Sequence, residues 1–195
     1  MGLSKGRPWL PTACVSALIL LLGLLGDSAR ELLAWSRPAV AEGEAWRLLS
    51  SHFVHLGWSH LVLNVVGLWL VWYLVVDAWR TLEWLLITLV IVVVINLGFW
   101  LLEPQLAWYV GLSGVLHGLL TAGAVRDIHE RRVEGVLLAV VLAAKIIYEQ
   151  AVGPLPGSEA STGGPVIVAA HLYGVVGGLL AATPLLIRVR TTASI

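Results

Sequence analysis

Charge is the first thing this chain lacks. Asp, Glu, Lys and Arg make up only 12% of its 195 residues, about half of what a soluble domain of this size carries. The 12 basic residues balance the 12 acidic ones, so the net charge suggests neither nucleic acid nor an acidic partner. Cysteine is nearly absent as well. Cys14 stands alone, which excludes a disulfide framework and a cysteine-built zinc site. Apolar residues fill the space instead, at 58% of the chain, with a mean hydropathy of +0.89. Such a composition suits a lipid bilayer.

Apolar runs close to the roughly 20 residues needed to cross a bilayer number six, at about 9–26, 59–76, 82–102, 111–125, 135–152 and 165–187. Lys5 and Arg7 precede the first, as in a signal peptide. Asp27-Ser28-Ala29-Arg30 is a poor cleavage site, however, so that segment is expected to remain as a helix. Basic residues set the orientation. With the N-terminus inside, Lys5, Arg7, Arg80, Arg126, Arg131, Arg132, Arg188 and Arg190 face the cytoplasm, eight against the three of Arg30, Arg37 and Arg47. The expected architecture is therefore an all-α polytopic membrane protein, one domain over 1–195, with both termini cytoplasmic.

Two loops on the far side differ in character. The first, about 27–57, carries Trp35 and Trp46 and leads into Trp58, and all three indoles are expected at the membrane interface. The fifth, from Gly153-Pro154-Leu155-Pro156-Gly157 to Gly163-Gly164-Pro165, is too rich in glycine and proline for regular structure and is expected to be a mobile flap.

Polar residues inside such spans are costly and mark function. Ser113, in Gly111-Leu112-Ser113-Gly114, falls in the first turn of the fourth span. Backbone N–H groups there have no intrahelical partner and can face a developing negative charge. Serine beside glycine is also plain helix packing in membranes, so this motif alone is weak. His171 lies near the same end of the sixth span, on the face that carries Gly174 and Gly178, whose spacing lets two helices pack backbone to backbone. A neighbouring fourth span would complete a nucleophile and base; a histidine bonded only to a carbonyl is the plainer alternative. His60 and Asn64 share one face at the corresponding end of the second span. They suit donors to an oxyanion or simple interhelical hydrogen bonds. The coincidence of three sparse polar sites at one membrane level favours catalysis.

Two other groupings compete. His52, His55 and His60, with His117 and His171, are of a type that binds zinc, copper or iron. No His-Glu-x-x-His is present, and Glu103, Glu149 and Glu159 lack ligand spacing, so no metal or other cofactor is expected. Lys145 and Glu149, four apart in the fifth span, are expected to be a snorkelling pair with both heads near water.

Taken in order, Trp46-Arg47, His60-x-x-x-Asn64, Gly111-x-Ser113-Gly114 and Ala170-His171-x-x-Gly174-x-x-x-Gly178 resemble the rhomboid intramembrane serine proteases across nearly the whole chain. The resemblance implies a six-helix bundle and a Ser–His dyad without an acid member. In it Ser113 attacks, His171 acts as base and then as acid, and His60, Asn64 and the Ser113 N–H hold the oxyanion. Gly111, Gly114, Gly174 and Gly178 then form the packing around the site. Rhomboids commonly place a tyrosine four residues after the serine. This chain has His117, which could still stack on His171. That variant, the compact length and Glu149-Gln150 before the glycine-proline loop are similar to the bacterial rhombosortase subfamily. The subfamily implies secreted substrates with a C-terminal Gly-Gly, a hydrophobic helix and a basic end, cleaved at the periplasmic face of an inner membrane. Two other readings are an inactive rhomboid-like chaperone or substrate binder, which typically loses the serine or histidine, and a transporter, for which no inverted repeat is found.

Overall fold

The computed structural model describes residues 9–192. Lys5 and Arg7, used above for orientation, lie outside that range, and the side chains of Arg188 and Arg190 are likewise not described. In hydrocarbon every backbone N–H and C=O needs an internal partner, which leaves the helix as the economical choice for apolar runs. The long helices are α1 (Leu10–Leu33) and, after the short strand β1 (Trp35–Ser36) and the short helices α2 (Arg37–Ala41) and α3 (Arg47–Ser50), α4 (Trp58–Val75) and α5 (Thr81–Leu102). A second two-residue strand, β2 (Trp108–Tyr109), leads into α6 (Ser113–His129) and α7 (Val133–Ala151); α8 (Ser158–Thr162) precedes α9 (Val168–Thr192).

Four of these, α1, α4, α5 and α9, are long and apolar enough to cross a membrane. Exposed Leu21, Leu24, Val66, Leu70, Leu82 and Leu85 lie on the outer faces of the first three, an arrangement suited to lipid. The remaining two follow a different logic. The 17-residue α6 buries Gly114, Gly118, Thr121, Ala122, Gly123 and Ala124 among others, and it packs on α4, α5, α7 and α9. A helix enclosed by others need not be lipophilic, so small residues replace leucine. In α7 the charged Glu134, Lys145 and Glu149 lower the apolar character.

Glycine sets how close the centre is packed. A Cβ on Gly174 would stand 1.9 Å from the carbonyl oxygen of Gly114, and one on Gly178 would stand 2.3 Å from that of Gly118. The two helices α6 and α9 therefore touch backbone to backbone, the approach that small-residue spacing permits in membranes.

The first loop is a scaffold. β1 pairs antiparallel with β2, Trp35 opposite Tyr109 and Ser36 opposite Trp108. The Arg37 guanidinium donates to the carbonyls of Phe99, Glu103 and Leu106, tying the loop to the end of α5. Arg47, itself buried, donates to the carbonyls of Glu31 and Ala34 and pairs with Glu44.

Three expectations need correction. Trp35 is fully buried, edge-on to Phe99 and Trp100, not at the interface; strand pairing draws it inward, whereas Trp46 and Trp58 are about half exposed. The fifth loop contains a helix, α8, bounded by Gly157 and Gly163, both at φ 78°, which supply the left-handed turns that start and stop it. And α1 runs on to Leu33 beyond a break at Gly26 (φ 59°), so the apolar run ends where the kink falls and not where the helix does.

Candidate active site

Gly111 opens the site. Its φ of 118° is a conformation for glycine, and a Cβ there would press on the His60 ring at 2.8 Å. Its N–H donates to the Ser51 carbonyl, and its own carbonyl accepts from the Tyr109 hydroxyl at 2.6 Å. Thus the β1–β2 ribbon and the first loop fix the residues just ahead of α6, and Ser113 becomes its first residue. From there the close α6–α9 contact brings Ser113 Oγ to 2.9 Å from Nε2 of His171.

The far side of the imidazole decides which nitrogen carries the proton. His171 Nδ1 lies 2.8 Å from Oε2 of Glu149. A carboxylate only accepts, so Nδ1 holds the hydrogen and Nε2 presents a lone pair to the serine hydroxyl. Glu149 Oε1 accepts from the Lys145 ammonium at 2.5 Å. This corrects two expectations at once. Lys145 and Glu149 are not a pair reaching for water, because the Glu149 side chain is 2% exposed against 27% for Lys145. Nor is the serine–histidine pair without an acidic neighbour. Residue spacing alone does not separate the two cases; the available signal is that Glu149 shares an inward face of α7 with Leu142 and Ile146.

His117 stacks on His171 with ring centres 4.2 Å apart and planes 21° off parallel, and its Nδ1–H donates to the Ser113 carbonyl at 2.7 Å. Just ahead of α4, the Leu56 N–H donates to Nδ1 of His60 at 3.4 Å, which leaves Nε2 as a donor nitrogen. Asn64 gives one amide hydrogen to the His60 carbonyl at 3.0 Å. Ser113, His171, His60, Asn64, His117 and Glu149 all line one cavity of about 290 Å³. Its walls come from α4, α6 and α7, with Pro165, Val166 and Ile167 beside α9 and Ser158 and Thr162 of α8 completing it.

His117, Glu149 and His171 also hold their ligating atoms within 4.8 Å of one another. As a cation site they fit poorly. Both ring nitrogens of His171 and both oxygens of Glu149 are already engaged, and the Lys145 ammonium sits against the same carboxylate. Among the described residues, His52, His55 and His60 form no such set, although the rings of His55 and His60 meet at 5.0 Å.

His52 and His55 have another consequence. Burial holds His52 down to about 4 and His55 to about 3, the charge of His60 adding to the second. In the unfolded chain both would titrate near 6.5. The unfolded state therefore binds more protons as pH falls below 6.5, and stability drops with pH from there toward 4. The loss from His52 alone is roughly 3 kcal/mol. The thermal midpoint in detergent is expected to fall between pH 7 and pH 5, and His52→Asn, which cannot titrate, is expected to flatten that dependence.

Long apolar helices with exposed leucines around a half-buried serine and a buried histidine define a multi-pass membrane protein with a polar centre. The Rhomboid domain matches residues 42–188, and the chain belongs to the rhomboid family. It is 27% identical over 193 residues to the rhomboid protease GluP of Bacillus subtilis, covering 93% of this chain and 36% of that protein. To the rhomboid protease GlpG of Klebsiella pneumoniae it is 33% identical over 107 residues, covering 53% of this chain and 37% of that protein. The chain thus spans about a third of the length of these curated relatives.

Proposed function

We propose that this chain is an intramembrane serine endopeptidase that cuts the C-terminal membrane anchors of secreted proteins near a Gly-Gly motif. The observation that carries this reading is Ser113 Oγ lying 2.9 Å from a histidine nitrogen that is free to accept its proton, on the wall of a cavity. Ser113 attacks the scissile carbonyl while His171 Nε2 takes the hydroxyl proton, and the imidazolium then protonates the leaving amine. The Ser113 N–H at the start of α6, His60 Nε2–H and the free amide hydrogen of Asn64 hold the oxyanion. Water reaches the acyl-enzyme through the cavity, beneath the α8 segment acting as a lid.

The chain forms one domain with six spans, α6 and α7 being the fourth and fifth, and both termini lie in the cytoplasm. Support for this comes from the eight-to-three distribution of basic residues. The membrane is the inner membrane of a bacterium, and the cavity opens to the periplasm. Substrates carry a Gly-Gly, a hydrophobic helix and a basic tail. Glycine is a poor helix former, so such a segment unwinds readily and exposes the peptide bond that a helix would shield. The chemistry requires no cofactor or metal.

A reporter ending in Gly-Gly, an apolar helix and a basic tail, co-expressed with this chain, tests the reading. Cleavage by the parent and its loss in Ser113→Ala are expected. Ser113-dependent cleavage of a general rhomboid substrate alone would remove the Gly-Gly assignment. Cleavage of neither by folded protein would leave a rhomboid-like substrate binder in its place.

A further inference from the structure

Glu149 has no role in a two-residue mechanism, yet it is among the most deeply buried charged groups described, at 3% exposure. A carboxylate at that depth is costly unless paired and hydrogen-bonded. Lys145 supplies the charge from one side. Neutralising Lys145 would need only that contact, and both heads could stay toward water as long side chains usually do. Instead Glu149 turns its second oxygen, Oε2, to His171 Nδ1 at 2.8 Å, opposite the nitrogen that faces Ser113. His171 is itself 5% exposed and is gripped on its face by His117.

We infer that Glu149 is the acid member of a Ser113–His171–Glu149 relay, a positioning residue that acts through His171, with Lys145 holding the carboxylate charged and oriented. This rests on the reading of Ser113 and His171 given above. In the first half-reaction the Oγ–C bond forms as the Oγ proton moves to Nε2. The Nδ1 hydrogen stays on nitrogen throughout, donated to Glu149, whose negative charge faces the imidazolium as it appears. The same proton then leaves Nε2 for the departing amine as the C–N bond breaks. Glu149 gains no proton, and its work is to fix the tautomer and the ring plane and to stabilise the transient charge. The arrangement also accounts for an acid carried on α7, outside the α6–α9 pair that supplies nucleophile and base.

Inactivation of the purified full-length chain by a fluorophosphonate, followed as adduct on Ser113, measures serine reactivity without needing the natural substrate. Glu149→Gln is expected to lower the maximal inactivation rate by about 10²–10⁴-fold with the half-saturating concentration little changed. Glu149→Asp, which keeps the charge for Lys145 but draws it back by a methylene, is expected to fall between Gln and the parent. The double variant Lys145→Met with Glu149→Gln removes both charges and is expected to stay as slow as Glu149→Gln, since tautomer control is still missing. If the double variant recovers the full parental rate, or if Glu149→Gln never loses it, Glu149 is only the partner of Lys145 and the proposal is overturned. If folded parent and Ser113→Ala are equally unlabelled, the serine hydrolase reading falls and the relay with it. A thermal midpoint for each variant separates lost reactivity from lost fold.

Discussion

Replacing His171 with alanine is expected to slow peptide cleavage by a factor on the order of 10⁴–10⁶, with the protein still folded. A neutral serine hydroxyl is a weak nucleophile until a base takes its proton, and His171 Nε2, 2.9 Å from Ser113 Oγ, is the base in the proposed mechanism. The same substitution removes the acid that would protonate the leaving amine. Removing the nucleophile as well adds little, because the two side chains act as one unit. Ser113→Ala, His171→Ala and the double variant are therefore expected to share one low rate. The fold survives because the void left by the ring borders a cavity that already exists, not the apolar cluster built around Ile87, Ile91 and Ile95. Reporter turnover in detergent alongside a thermal midpoint checks both halves. A His171→Ala rate within about tenfold of the parent would assign the base elsewhere.

The second large effect lies in the backbone. Gly174→Val is expected to cost about 3 kcal/mol or more and to abolish cleavage along with it. Its Cβ would fall 1.9 Å from the Gly114 carbonyl oxygen, and a backbone atom in a central helix cannot swing aside as a flexible side chain does. The relief available is for α6 and α9 to separate, which carries Ser113 and His171 apart. Gly178→Val meets the Gly118 oxygen at 2.3 Å and is expected to behave alike, one turn deeper. Gly57→Ser serves as the control. Nothing lies within 4 Å of its would-be Cβ. Its φ of −177° is open to any residue, and it caps α4, where serine is favoured. Normal midpoint and turnover are expected there. A Gly174→Val protein as stable as Gly57→Ser would contradict the close-packed pair.

These two effects show what a sequence of this kind makes legible. The glycines at 114, 174 and 178 announce a close helix contact because membrane helices lack a hydrophobic force between them and rely on small residues to approach. Ser113 and His171 stand out because hydroxyl and imidazole groups are scarce and expensive among apolar runs. The long helices begin and end within a few residues of their apolar runs, except where Gly26 kinks α1 without ending it. Other features depend on contacts that no local pattern encodes. Trp35 reads as an interfacial indole, and only its pairing with the segment ahead of Ser113 draws it into the core. Lys145 and Glu149 have the spacing of an ordinary i,i+4 pair; the depth of α7 and the turn of His171 toward it decide that the carboxylate faces inward. The α8 turn is hidden among glycines that usually signal irregular chain, and it is those glycines, at left-handed angles, that bracket it.

The position at which a fluorophosphonate becomes attached identifies the nucleophile. After treatment of the purified full-length chain, peptide mass spectrometry is expected to find a single adduct, on Ser113, in the parent, and none on that residue in His171→Ala over the same time. An adduct on another residue, or a cleaving and folded parent that carries none on Ser113, would contradict the account.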